Sequence, residues 1–122
     1  EGVITGAIGD IPDSKDSLMI KYRDAAKRLA PDERWGVFYY AGIIFADPLV
    51  EALKRVGRNL STEAVMRSLN SLTDYQTIGP KISWTEKQHQ GTDSIMIHKC
   101  GPGGSYIKLQ DWTSNDLAAW KK

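Results

Sequence analysis

"RWGVFYYAGIIFADPLVEALKRVGRNLSTEAV", Arg34 to Val65, sets a long apolar run against a basic tail and then restarts with a helix cap. From Trp35 to Val56 the apolar residues cover nearly all faces, the pattern of a helix packed on several sides. Asp47-Pro48 interrupts it. Proline lacks the N–H and clashes with the preceding turn, so Asp47 as a cap and Pro48 at a first helical position predict a restart or kink, with a bend near Ala46. Gly57 suits a left-handed stop, and Ser61 caps a third helix with Val65, Met66, Leu69 and Leu72 on one face. The apolar run from Trp35 to Ala46 is about a dozen residues, short of the roughly 20 that a membrane-spanning helix needs. A buried helix is the expectation.

Upstream, "EGVITGAIGDIP" has a β-branched pair, Val3 and Ile4, then glycines and a proline, and reads as a short strand leaving into an irregular connection. That connection ends at Asp13, which can cap a helix whose Leu18, Tyr22, Ala25 and Leu29 repeat at helical spacing before Pro31 stops it. Downstream the period changes to two. "KISW" (81–84), "DSIMIHKC" (93–100) and "SYIKLQDW" (105–112) read as strands, with "GPGG" as a hairpin turn between the last two. A short C-terminal helix from Ser114 to Trp120, capped by Thr113 or Ser114, completes the reading.

One lone strand, three helices and a late hairpin close a core poorly, because a two-stranded hairpin is marginal unless something covers it. The chain therefore buries surface against the rest of a larger fold or against another copy of itself. With 122 residues, 41% hydrophobic and 25% charged, it has the composition of one ordered globular domain. A net charge of +1, from 16 basic and 15 acidic residues, creates no field that would draw nucleic acid or an anionic membrane. No basic and apolar leader opens the sequence, and the single cysteine, Cys100, closes no internal disulfide.

Candidate sites are few. His98 and Cys100 stand two apart on a strand and share a face, but two ligands are too few for a metal, and His89 in a polar loop joins them only if the fold brings it there. As a Cys–His nucleophile pair they lack an orienting acid. "GPGG" has no Lys-Ser/Thr ending and no strand-loop-helix context, so it is a turn and not a phosphate cradle. Asn59-Leu60-Ser61 matches a glycosylation acceptor, yet Ser61 is explained as a cap, and Lys54, Arg55 and Arg58 complement the negative end of a helix. Trp35 is more informative: it follows the charged "PDER" at the start of a buried helix, where its ring can close a cleft. Tyr39 and Tyr40 are adjacent and point about 100° apart, so one can be buried while the other faces a cleft.

"EGVITGAIGDIPDS", "WGVFYYAG" followed by "LVEALKRVGRNLSTEAVMRSLNSL", "IGPKISWTEKQHQG" and a last hairpin ending in "LQDW" stand in an order that resembles the C-terminal part of branched-chain amino acid (Leu/Ile/Val-type) binding proteins. These are the extracytoplasmic, periplasmic solute receptors of ABC importers, with the type I periplasmic binding fold. The resemblance spans nearly the whole chain and implies an α/β architecture that is one part of a two-lobed protein: three helices of one lobe, then a β-hairpin of the other. Residues from about 10 to 84 would belong to the first lobe, and 1–9 with 85–122 to the hinge and second lobe. It also implies a binding protein and not an enzyme, with no cofactor. The implied partners are a small-molecule ligand, such as a branched-chain or other amino acid or an aromatic acid, and the membrane subunits of an importer. In the family a residue just before the "YA" helix start faces the ligand, and Trp35 matches it; Tyr39 joins it, while Tyr40 is mainly packing. The helix between Tyr40 and Leu53, with Asp47-Pro48 inside, is longer than the family pattern and leaves the ligand class open. Two rivals remain: a sensory or regulatory domain of the same fold, and a small enzyme using His98 and Cys100.

Overall fold

The computed structural model describes residues 1–114, in the order β1 (Ile4–Ala7), α1 (Ser17–Leu29), α2 (Val37–Val56), α3 (Thr62–Asn70), β2 (Tyr75–Gln76), β3 (Lys81–Ile82), β4 (Ser94–Cys100) and β5 (Tyr106–Ser114). The α/β class is as expected. Two antiparallel sheets form, β1-β4-β5 and the small β2-β3 pair. The first strand is therefore not alone: Ile4 pairs with Lys99 and Thr5 with His98, which gives the hairpin the third strand it needs.

α1 starts later than the sequence predicts. Asp16, not Asp13, is its cap, and its carboxylate accepts from the N–H groups of Leu18 and Met19. Met19 is the fully buried residue of the helix, and Leu29, expected on the buried stripe, is 76% exposed.

α2 is one continuous helix with Pro48 inside it, so the predicted restart at Asp47 does not occur. Tyr40, Ile44, Pro48 and Ala52 are its buried residues, and their spacing of four lays them along one face. Much of the rest is uncovered: Phe38, Phe45, Leu49 and Leu53 are all exposed, while Val37 and Ile43 are partly buried against the core. Expected burial on several sides is thus met on one side only. Gly57 ends the helix at φ +64, and Ser61 caps α3 by accepting from Ala64 N–H at 3.1 Å, both as predicted. α3 leans on α2 through Ser68, whose hydroxyl donates to the Ala52 carbonyl at 3.2 Å. None of its own residues is fully buried, and Leu72, expected on its apolar face, sits beyond its end with no exposure.

The sequence reading had no β2. "KISW" gives only the two residues of β3, because the N–H of Ser83 turns to the Gly91 carbonyl and that of Trp84 to the Leu72 carbonyl. The "GPGG" hairpin is present, with Gly103 at φ +64 and Gly104 at φ +77 carrying the reversal. Ser114, expected to open a helix, is the last residue of β5. The remainder of that predicted helix lies outside the described residues. Met19, Tyr40, Ile44 and Ile78 form the core cluster, with Leu18, Tyr22, Trp35, Val37 and Ile43 packed around it. Among the described residues no helix is long and apolar enough to cross a membrane.

Candidate functional site

The approach to α2 brings aromatic side chains together. Trp35 lies before the helix, and its indole N–H donates to the Pro12 carbonyl at 3.0 Å, which fixes the ring against the first connection. Its ring meets Tyr39 at a centroid distance of 5.5 Å and Tyr40 at 6.0 Å, both tilted. Successive helical positions point about 100° apart, so Tyr40 turns into the core at 2% exposure while Tyr39 stays half-buried at the rim. Tyr40 has the packing position expected of it. Gly9 makes room for that ring, since a Cβ there would run into it and come within 3.1 Å of the Ile44 side chain.

Trp35 and Tyr39 line one cavity of about 670 Å³, together with Arg34 and Asp13. Gly104, Ser105 and Tyr106 of the hairpin close its other side. Helices and sheet thus both contribute to it. A second cavity, of about 700 Å³, shares Ile11 and Asp13 with the first and is lined by Ser14, Thr77 and Lys108. Both volumes fall in the range of roughly 300–1,000 Å³ that suits small ligands, so lining chemistry has to decide between them. The first is lined by four aromatic residues, Trp35, Phe38, Tyr39 and Tyr106, and the second by one, Trp112.

A polar junction ties the two sides of this site. The Tyr40 hydroxyl donates to the Asp10 carbonyl at 2.7 Å, and the Asp10 carboxylate accepts from the Ile11 N–H at 2.7 Å and the Ser14 hydroxyl at 2.6 Å. Lys108 of β5 approaches the same carboxylate at 3.4 Å. Burial alone would raise the Asp10 carboxyl, but the Ser14 and Ile11 hydrogen bonds and the Lys108 ammonium outweigh it and hold it below the usual carboxylate range. The Tyr40 hydroxyl is pushed up to about 12, first by burial and then by the nearby Tyr106 and Asp10.

His98 and Cys100 do lie on one face of β4, together with Met96, as their spacing predicts. His98 is 2% exposed, and its Nε2 has no hydrogen-bond partner among the described residues. Burial is the main cause of its depressed basicity; Asp10 opposes this and Lys108 adds to it. Among the described residues the Cys100 thiol finds only the Gly101 carbonyl, to which it donates at 3.9 Å. Among the described residues no group of three or more His, Cys, Asp or Glu side chains is placed to hold a metal, and His89 sits exposed in its loop. Arg55 pairs with Glu51 on the α2 surface, at 2.8 Å.

Tyr106 is the residue that sequence reasoning missed. It follows "GPGG" as the first residue of a strand, and periodicity gave no reason to look across a hairpin turn for a partner of Trp35.

No family model and no curated protein matches the chain. Solved structures do. A branched-chain amino acid ABC transporter protein from Thermus thermophilus, solved with bound valine, superposes with a TM-score of 0.81 over 96% of this chain at 17% identity. A substrate-binding periplasmic protein from Ralstonia solanacearum gives 0.75 over 86% at 24% identity. One described as a possible leucine/isoleucine/valine-binding protein from Rhodopirellula baltica gives 0.76 over 88% at 20%. The chain spans 34%, 31% and 29% of these three chains respectively. Its fold is thus that of a part of the type I periplasmic binding proteins, as the resemblance in the sequence implied.

Proposed function

We propose that this chain supplies part of the ligand cleft of an extracytoplasmic solute-binding receptor that delivers a small molecule to an ABC importer. The observation that carries the reading is the cavity at the start of α2, with Trp35 and Tyr39 on one side and the hairpin on the other. It occurs in a fold shared with solved substrate-binding proteins of importers, one of which holds valine. Residues from about 10 to 84 would form part of one lobe, and 1–9 with 85–122 the hinge and part of the second. A ligand that prefers the closed arrangement of the lobes would shift the population toward it, and the membrane subunits of the importer would recognise that closed shape. The ligand class is an amino acid or an aromatic acid. The aromatic rings that line the site accord with binding by contact.

The test is calorimetric titration of the full-length gene product with a panel of amino acids and aromatic acids. Saturable micromolar or tighter binding to one of them is expected. Tyr39→Ala should weaken it about tenfold, since losing an aromatic contact of roughly 1–1.5 kcal/mol corresponds to that factor. Unfolding stability should change little, because Tyr39 is only half-buried. An unaltered affinity in the variant would remove Tyr39 from the site, and a wild-type protein that binds none of the panel would end the receptor reading.

A further inference from the structure

The sheet side of the cavity contributes a single aromatic ring, and the hairpin is built to hold it there. Gly103 and Gly104 take left-handed backbone angles that few other residues tolerate. The loop is closed by the Gly101 N–H donating to the Ser105 carbonyl at 2.8 Å and the Ser105 N–H to the Pro102 carbonyl at 3.2 Å. A Cβ at Gly101 would crowd the Ser105 hydroxyl at 2.6 Å and the Ile107 side chain at 2.9 Å, so both would have to shift to admit a larger residue. β5 therefore enters its register with Tyr106 opposite Cys100 and Lys108 opposite His98. Residues directly opposite each other share a face, so Tyr106 and Lys108 stand on the side of His98.

His98 backs the ring. The two ring centroids are 6.2 Å apart at 69°, an edge-to-face arrangement on a histidine that is almost wholly buried. Tyr106 nonetheless keeps 43% of its surface exposed, and it lines the same cavity as Trp35 and Tyr39. A ring fixed from behind and open in front contacts an occupant without first paying ordering entropy.

Resting on the receptor reading above, we infer that Tyr106 is a third ligand-contacting residue and that the cavity, walled by Trp35, Tyr39 and Tyr106, selects ligands carrying an aromatic ring over branched aliphatic amino acids. Three aromatic side chains from two directions offer a flat group offset-stacked and edge contacts at once, whereas a branched aliphatic side chain gains only buried area.

The experiment titrates the full-length protein with L-phenylalanine, 4-hydroxybenzoate and L-leucine, in wild type and in Tyr106→Phe, Tyr106→Leu and Tyr106→Ala. At least one of the two ring compounds should bind tighter than L-leucine, and which one binds separates an aromatic amino acid from an aromatic acid. Tyr106→Ala should weaken the better ring compound about tenfold while changing L-leucine less than threefold. Tyr106→Phe should stay within about twofold of wild type, because the hydroxyl makes no hydrogen bond among the described residues. Tyr106→Leu, which keeps bulk without a ring, tests the same point if the alanine variant folds poorly, and it should lose most of the ring preference. Equal losses for all three ligands, or none, would overturn the inference while leaving the receptor reading standing. So would an L-leucine preference in the wild type. No binding of any amino acid or aromatic acid by the wild type would end both.

Discussion

Asp10 and Asp47 are both aspartates that gather distant parts of the chain, and they do so with opposite chemistry. Asp47 accepts hydrogen bonds from the hydroxyls of Tyr22 in α1 and Tyr75 in β2, the latter at 2.9 Å, and pairs with no cation among the described residues. Asp10 takes a serine, a backbone N–H and the ammonium of Lys108, and so joins the helices to the sheet. Neutral phenols on a carboxylate resist salt, whereas the Lys108 side chain is 36% exposed and its pairing is screened as ionic strength rises. The helical region is thus fastened internally by one kind of bond and fastened to the sheet by another. The hold on the sheet is the more adjustable of the two.

Removing Asp47 should have the largest effect. Asp47→Ala strands two tyrosine hydroxyls in part-buried positions and should destabilise the protein by about 2–4 kcal/mol in denaturant unfolding. A loss below roughly 1 kcal/mol would mean that water replaces the carboxylate freely and that the helical region is not fastened there.

The two junctions should also fail at opposite ends of the pH scale. Tyr75 is raised to about 12, by burial first and then by its bond to Asp47. Its folded value lies above the ordinary value near 10, so its contribution is intact below about pH 10 and is lost as pH rises through about 12. Asp10 is lowered, so its contribution is intact above the ordinary carboxylate value of about 3.9 and is lost as pH falls below it. Lys108→Ala should reduce the acid-side loss and leave the alkaline limb in place. Equal changes in both limbs would show that the two regions unfold as one charge-coupled unit.

The smallest effect is expected on the α2 surface. Arg55→Ala removes an exposed pair with Glu51 and should shift stability by no more than about 0.5 kcal/mol.

Much of the helical region was legible because its signals are local. Gly57 and Ser61 need only their own neighbours to be a stop and a cap, and both act as such. Asp47-Pro48 is the instructive miss. Locally it has the chemistry of a cap and a first helical residue, but tyrosines 25 and 28 positions away claim the carboxylate, and the buried stripe of α2 carries the proline through. Nothing in a period or a capping rule reports such a distant claim. The same reason hid the pairing of β1 with β4, which joins residues about ninety positions apart. In the cavity, Trp35 and Tyr39 could be singled out from their place at a helix start, while Tyr106 gains its position only when the hairpin folds against them.

The hairpin turn carries one more consequence, for how this molecule can change over generations. Loops are usually where insertions are tolerated, and the polar segment from Glu86 to Gln90 is exposed and open to them. The turn between β4 and β5 is different. Side chains alternate along β5, so one residue gained or lost at Gly103 or Gly104 would exchange its faces, withdraw Tyr106 and Lys108 from the cavity and from Asp10, and present Ile107 and Leu109 in their place. A single-codon insertion there would alter the cleft and the tie to the helices in one step, so the length of this turn should vary less among descendants of the gene than its composition does.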